Sequence, residues 1–382
     1  MTGFIPYGRQ LIESDDEAAV LSALRSDYLT QGPATAAFEK DIADFTGAKF
    51  CVAVSSATAG LHIAMAALEL PSGEGITSPN TFVATANAMI YNGLDPVLAD
   101  IEPDTFNLSS VAAEAAITDR TRLIAPVHFA GLPADMEAFA ALAGDRGLAL
   151  IEDAAHAIGS DYASGGRVGN GRFSAMTVFS FHPVKSMTTG EGGAITTNDP
   201  ALYERLMMLR SHGITRDPAR LTDEPGTWWY EQQLLGFNYR MTDFQAALGS
   251  SQLRKLDRFA ARRRAIIARY RAALSDLSWL TLPHDAGDQR VCYHLFVARF
   301  DFEAMGRTRA EVMAALAAEG VGSQVHYIPV YRQPWHAGLA PDAERQFPAN
   351  EAYYARCLSL PLYPAMTDDD VERVILTVRG LA

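Results

Sequence analysis

The first two thirds of the chain alternate between short apolar runs and stretches of helical period. Residues 13–26 form an amphipathic helix pattern with Ile12, Ala19, Val20, Ala23 and Leu24 on one side, and residues 35–46 predict a second helix ended by Gly47. The apolar run Phe50 to Val54 then reads as a strand, followed by a turn of small residues, Ser55-Ser56-Ala57-Thr58-Ala59-Gly60, and a helix from Leu61 to Leu68. Further strands are expected at Gly75–Ser78, Pro96–Ala99, Leu123–Val127 and Leu148–Asp153, with helices at 81–91, 109–116 and 135–146 between them. Short continuous apolar strands separated by helices predict an α/β fold with a mostly parallel central sheet covered by helices on both faces.

From Met176 the pattern changes to strand (Met176–Phe181), loop, strand (Gly193–Thr197), then a helix at 200–210. Residues 212–240, rich in Gly, Pro, Trp and Tyr, are expected to be a long functional loop. Thr242 to Leu274 predicts one long helical region whose basic cluster, Arg262-Arg263-Arg264, is expected on a solvated face. Beyond about residue 290 the pattern is that of a smaller α+β unit. It comprises a strand at His294–Arg299, a helix at Thr308–Glu319 closed by Gly320, a short strand at Val325–Ile328 and a last helix within Pro364–Leu381, capped by Thr367. The expected division is a large domain over 1–245, N-terminal segment included, and a C-terminal small domain over 246–382 with the long helix as its link.

Composition narrows the function classes. With 382 residues, nearly half of them apolar, the chain has material for a large buried core, and a net charge of −13 argues against binding nucleic acid or an anionic membrane. Cys51, Cys292 and Cys357 lack CxxC spacing, so three reduced thiols are expected rather than a disulfide framework or a metal site. Without a run of about 18 apolar residues or a signal-peptide pattern at the start, a cytoplasmic location is the default.

Three segments carry candidate chemistry. Ile151-Glu152-Asp153-Ala154-Ala155-His156 sets two carboxylates and a histidine at the C-terminal end of an apolar strand, the edge where open α/β sheets bind ligands. A helix cap or an acidic metal pair would explain it equally well. Phe179 to Gly193 holds one lysine, Lys185, between an apolar strand and a Gly/Thr-rich turn. A lysine in apolar surroundings loses its proton more readily and becomes an amine nucleophile, although an exposed loop lysine is the commoner case. The Ser55–Gly60 turn could present backbone N–H groups to an anion at a helix N-terminus, or simply cap that helix.

Taken together and in this order, the segments resemble the fold-type I enzymes that use pyridoxal 5′-phosphate (PLP). More closely, the chain resembles the DegT/DnrJ/EryC1/StrS sugar aminotransferases. The resemblance runs from Pro6-Tyr7-Gly8-Arg9 to the C-terminal unit and is most specific at Glu152–His156, at Lys185 with Thr189-Gly190-Glu191-Gly192-Gly193, and at Gly236-Phe237-Asn238-Tyr239-Arg240-Met241-Thr242-Asp243. It implies that Lys185 bonds covalently to PLP and shuttles protons. It implies that Asp153 bonds the pyridine nitrogen and that His156 sits near the ring. Ala57, Thr58 and Ser180 match phosphate-binding positions. Asn238 matches a residue that reaches the phosphate from a neighbouring subunit, implying a homodimer with shared sites. Phe82 matches the aromatic that stacks on the pyridine, with core packing as the competing reading. Ala57 stands where many relatives have glycine, which restricts φ.

Asn80-Thr81-Phe82-Val83-Ala84, Pro126 to Gly131, Phe181 to Lys185, Leu209 to Ile214 and His326-Tyr327-Ile328-Pro329-Val330-Tyr331 are similar to the pseudaminic-acid branch of the family. That likeness implies L-glutamate as amino donor and a UDP-linked 4-keto-6-deoxy-N-acetylhexosamine as acceptor, with Tyr7, Arg240, His326 and Tyr327 as substrate-binding candidates. A perosamine- or dTDP-sugar aminotransferase and a non-catalytic PLP-binding regulator are the alternatives. The family's dehydratases carry histidine in place of the lysine, and Lys185 argues against that branch.

Overall fold

The computed structural model describes residues 3–287 and 290–381. Its centre is a seven-stranded sheet of β1 (Phe50–Val54), β2 (Gly73–Thr77), β3 (Leu94–Leu98), β4 (Thr121–Ala125), β5 (Ala149–Asp153), β6 (Met176–Ser180) and β7 (Gly193–Thr197), in the spatial order β1-β7-β6-β5-β4-β2-β3. The run from β6 to β3 is parallel, and β7 alone runs against both its neighbours. Alternation along each strand sends successive side chains to opposite faces. Cys51 and Ala53 join Phe38, Ile42 and Phe139 in one core, while Val52 and Val54 join Ile63, Met89 and Leu206 in the other. A sheet buried on both faces needs continuous apolar strands, which is how these segments read.

The helix after β1 runs Ala57–Ala67, starting four residues before the expected Leu61, because Ser56 caps it by accepting the Ala59 N–H. Two helices, Asp243–Leu253 and Leu256–Leu274, replace the single long one expected, with a break at Arg254–Lys255. Lys255 is held there by Asp15 and Asp16, each 2.7 Å from its Nζ. Arg263, expected on a solvated face with its neighbours, is instead 1% exposed. Basic residues on successive positions of a helix point about 100° apart, so one of three faces inward.

Residues 212–240 are largely irregular, with a two-residue ladder between β8 (Ile214–Thr215) and β9 (Glu231–Gln232). The C-terminal unit is a three-stranded antiparallel sheet of β10 (Leu280–Thr281), β11 (Phe296–Phe300) and β12 (Cys357–Leu360), packed on Leu256–Leu274, Arg309–Ala318 and Asp368–Arg379. The strand expected at Val325–Ile328 does not form. Only Gln324 bridges to Ser359, and the chain beyond it turns toward the sheet edge of the large domain, where the Tyr327 N–H reaches the Asn80 side chain. Ile5 packs in the core of the C-terminal unit and pairs with Val321, so the N-terminal segment joins both halves of the molecule.

Candidate active site

β1, β5 and β6 all end at one edge of the sheet, and β7 starts there. Gly193 pairs with both Val54 and Ser180, which closes this edge around a single point. A Cβ at Gly193 would lie 2.7 Å from the Ala57 nitrogen and 2.8 Å from the Ser56 carbonyl carbon. Glycine there lets the helix start press against the strand ends. Above this edge lies a cleft of about 440 Å³ lined by Ala57, Thr58, Phe82, Asp153, His156, Ser180, Lys185, His294, His326 and Tyr327, with Tyr7 at its rim.

Lys185 stands on the loop between β6 and β7. The loop is closed at its base by Phe181 N–H to Gly192 (2.9 Å) and Thr189 N–H to Phe181 (3.0 Å), and at its tip by Lys185 N–H to His182 (2.9 Å). Burial lowers the proton affinity of the Lys185 amine to about 8, with Asp153 pulling the other way. A fraction of the amine is therefore unprotonated near neutral pH, as a nucleophile requires.

Adjacent carboxylates on β5 have different fates because adjacent residues face opposite sides. Glu152, on the Leu150 side, is fully buried and accepts from Tyr162 Oη (2.7 Å) and Thr177 Oγ1 (3.0 Å), with Ser174 Oγ and His128 Nε2 as further partners. His128 Nδ1 accepts the Ala134 N–H, so the ring proton sits on Nε2 and points to Glu152. Burial raises the Glu152 proton affinity, but these bonds, His128 foremost, lower it further than burial raises it. This network is a framework, and the acidic-metal-pair reading has no second ligand set behind it: no cluster of three or more His, Cys, Asp or Glu able to hold a metal occurs among the described residues. Asp153 faces the cleft at 5% exposure. Its Oδ2 accepts from Thr85 Oγ1 at 2.6 Å and its Oδ1 from the Ala155 N–H at 3.1 Å. Since a carboxylate only accepts, the Thr85 proton is committed to Asp153, and the 3.2 Å contact between Thr81 and Thr85 has Thr81 as donor.

Three histidines, His156, His294 and His326, also line the cleft. His156 Nδ1 accepts the Ala130 N–H (3.2 Å), which places its proton on Nε2, 2.9 Å from Tyr327 Oη. His326 Nδ1 lies 2.7 Å from Ser359 Oγ. His294 is 4.5 Å from His156, ring to ring. Burial, with the Lys185 charge second, pushes all three far down, His326 to about 3, so the wall is polar but neutral.

The helix Ala57–Ala67 points its N-terminus into the cleft. Its first-turn N–H groups lack intrahelical acceptors and, with the helix dipole, favour an anion. Ala57 is itself the first helical residue and has no positive φ, so alanine in place of the family's glycine brings no strain. Ser180 sits beside it at the end of β6. Phe82 is 60% exposed at the cleft mouth, which rules out core packing. Tyr7 stacks obliquely on His326 at 5.2 Å. Two residues lie outside this chain's own cleft, of which Asn238 is expected to act at a neighbouring subunit's site. Asn238 is exposed and its backbone bridges to Ser211, while Arg240 lines a separate groove with Gln31, Arg210 and Arg216. Sequence reasoning missed Thr85 and His294. Thr85 follows directly on the Asn80–Ala84 motif, and His294 opens a stretch read only as a strand.

A buried-edge carboxylate, an amine of lowered proton affinity and an anion-binding helix start converge on one cleft, and that set fits PLP. The chain belongs to the DegT/DnrJ/EryC1/StrS aminotransferase family, whose model matches residues 10–379. It is a PLP-dependent sugar aminotransferase of fold type I. Among its relatives, the spore coat polysaccharide biosynthesis protein SpsC of Bacillus subtilis is 42% identical, over 99% of this chain and 97% of SpsC. Helicobacter pylori PseC, an aminotransferase of pseudaminic acid biosynthesis, superposes with a TM-score of 0.92 at 30% identity, covering 99% of both chains. The sugar aminotransferase Spr1654 of Streptococcus pneumoniae, described as putative and solved in PLP and PMP forms, superposes at 0.89 with 28% identity, over 99% of this chain and 97–98% of its own.

Proposed function

We propose that this enzyme moves the amino group of L-glutamate to C4 of a UDP-linked 4-keto-6-deoxy-N-acetylhexosamine, giving a 4-amino sugar nucleotide of the kind used for pseudaminic acid, as a UDP-4-amino-4,6-dideoxy-N-acetyl-β-L-altrosamine transaminase does. The observation that carries the chemistry is the Lys185 amine in one cleft with Asp153 and the Ala57–Thr58 helix start. Bound PLP supplies the electron sink that lets an amino group be held between donor and acceptor. Lys185 Nζ bonds the cofactor and carries protons at the reacting carbon. Asp153, fixed by Thr85 and Ala155, holds the ring nitrogen. Ala57, Thr58 and Ser180 hold the phosphate. His156 stands at the ring and orients Tyr327, which with Tyr7 and His326 forms a neutral wall for the sugar.

The choice of sugar rests on the motifs around Asn80 and His326 and on the whole-chain likeness to PseC. The higher identity to SpsC favours a second reading, amination of another nucleotide-linked keto sugar. Product formation on UDP-, GDP- and dTDP-linked 4-keto sugars separates the two: the proposal expects turnover with the UDP sugar, and turnover confined to a GDP or dTDP sugar overturns it.

A homodimer with shared sites is part of the proposal. It accounts for the position of Asn238 and Arg240 outside their own chain's cleft, on an exposed segment that also presents Leu235 and Trp228 to solvent. Mixing inactive Lys185→Ala and Asn238→Ala chains rebuilds one intact site per mixed dimer, so activity should return. Mixed dimers as inactive as either parent would refute sharing.

A further inference from the structure

Arg263 is a fully buried cation with no anion. Among the described residues no carboxylate lies within 4 Å of it, and its Nε is enclosed without a partner. Its Nη1 donates to the carbonyls of Leu362 (2.8 Å) and His294 (3.3 Å), and its Nη2 to the carbonyl of Lys185 (3.4 Å). These carbonyls come from three separate segments: the Lys185 loop, the chain just before β11 and the chain just after β12. A buried ion is costly, and a guanidinium held by neutral carbonyls alone lacks the counter-charge that helps to offset that cost. Stability alone is therefore a poor reason for a guanidinium here.

The other halves of two of these peptides explain it better. The Lys185 N–H is held by His182 and its carbonyl by Arg263, so the backbone is pinned on both sides of the Lys185 Cα. The His294 N–H is held by the Ala130 carbonyl (2.8 Å) and its carbonyl by Arg263, so the same guanidinium pins a second cleft residue. One planar group with five divergent donors can span three carbonyls, whereas a lysine ammonium offers a single nitrogen.

We propose that Arg263 is a positioning residue, which acts through the Lys185 and His294 backbones to set the Lys185 amine against the cofactor and to lock the C-terminal unit to the Lys185 loop. The proposal rests on Lys185 being the residue that bonds PLP. That premise is checked separately by borohydride reduction of the wild-type holoenzyme and mapping of the cofactor-bearing peptide. A label on a different residue removes the premise and the proposal together. With the label on Lys185, the Arg263→Met and Arg263→Lys holoenzymes test Arg263 itself. In the Met variant the single-turnover rate with L-glutamate should fall by about tenfold or more, the worth of a lost hydrogen bond to a charged group. KM for the sugar should change little, and the pH midpoint of the bound cofactor's visible absorbance should move. The Lys variant, able to reach one carbonyl, should recover part of the rate. A folded Met variant with wild-type rate and midpoint overturns the proposal. If the Met variant does not fold, the Lys variant decides by the same two readings: unchanged values overturn the proposal, and an intermediate rate with a moved midpoint supports it.

Discussion

Thr85→Val tests how Asp153 is held. The substitution keeps the shape of the side chain and removes one hydroxyl. In the structure that hydroxyl gives Asp153 Oδ2 its shortest bond, 2.6 Å, and receives the Thr81 proton in turn. The Ala155 N–H would remain on Oδ1. A hydrogen bond to an ionised group is worth about 1.5–3 kcal/mol, which converts to a factor of about 10–150 if it is lost wholly from the reacting state. The lower part of that range is expected, because Asp153 keeps the Ala155 N–H and, on the proposed reading, also gains the pyridine nitrogen as a partner. The assay is stopped-flow conversion of the holoenzyme by saturating L-glutamate, the proposed donor, with PLP content measured so that weak cofactor binding is not mistaken for slow chemistry. Thr85→Ser, which restores the hydroxyl, should return most of the rate. A Val variant with full PLP content and a rate within about twofold of wild type would show that Asp153 needs no help from this threonine.

Further outcomes follow from the same geometry. The rate at which apoenzyme captures PLP should rise with pH through a midpoint near 8, the value set by burial of Lys185, because only the unprotonated amine reacts; a midpoint above about 10, the free-lysine range, would refute it. Since the folded value lies below that of an unfolded lysine, this group's contribution to apoenzyme stability should increase between about pH 8 and 10.5, which denaturant titration at several pH values can check. Gly193→Ala forces a Cβ to within 2.7 Å of the Ala57 nitrogen and 2.8 Å of the Phe179 carbonyl oxygen, so a loss of about 1–3 kcal/mol in stability and weaker PLP binding are expected, read by thermal melting and fluorescence titration; unchanged PLP affinity would mean that the helix start does not hold the phosphate. Glu152→Ala leaves the buried His128 Nε2–H and Tyr162 O–H without their acceptor, with an expected cost of about 1–3 kcal/mol for each. In the wild type, the lowered Glu152 value means that its stabilisation is present above the ordinary glutamate range and is lost as pH falls through the folded value, so acid unfolding of the Ala variant should lack that component.

Strands and their order along the chain were legible because a sheet buried on both faces demands apolar runs: β1 is apolar throughout, and β4, β5, β6 and β7 each hold a shorter apolar stretch, Leu123–Ala125, Ala149–Ile151, Val178–Phe179 and Ala194–Ile195. β12 escaped because Cys357–Leu360 is four residues long with a serine in it, and helix Pro348–Arg356 runs straight into its start. The helix break at Arg254–Lys255 was not legible, since no proline or glycine marks it; what holds it is an ion cluster with Asp15 and Asp16, more than two hundred residues away in the chain. Contacts of that range leave no local pattern.

The site divides along the same line. Asp153 and the Ala57–Thr58 turn could be picked out because they stand at strand ends, and Lys185 because it stands in the loop after β6, where periodicity stops and a polar residue needs a reason. Thr85 lies in the first turn of helix Ala84–Tyr91 and His294 just ahead of β11, where a hydroxyl or an imidazole reads as ordinary. Only the fold brings Thr85 to Asp153 and His294 to His156. Arg263 is the extreme case: in a run of three arginines on a helix, the sequence pattern favours solvent for all of them, and it takes the packing of the Lys185 loop, β11 and β12 around one helix to show which of the three is enclosed. A polar residue whose burial comes from distant segments is therefore the kind that sequence reading overlooks, and Thr85, His294 and Arg263 are of this kind.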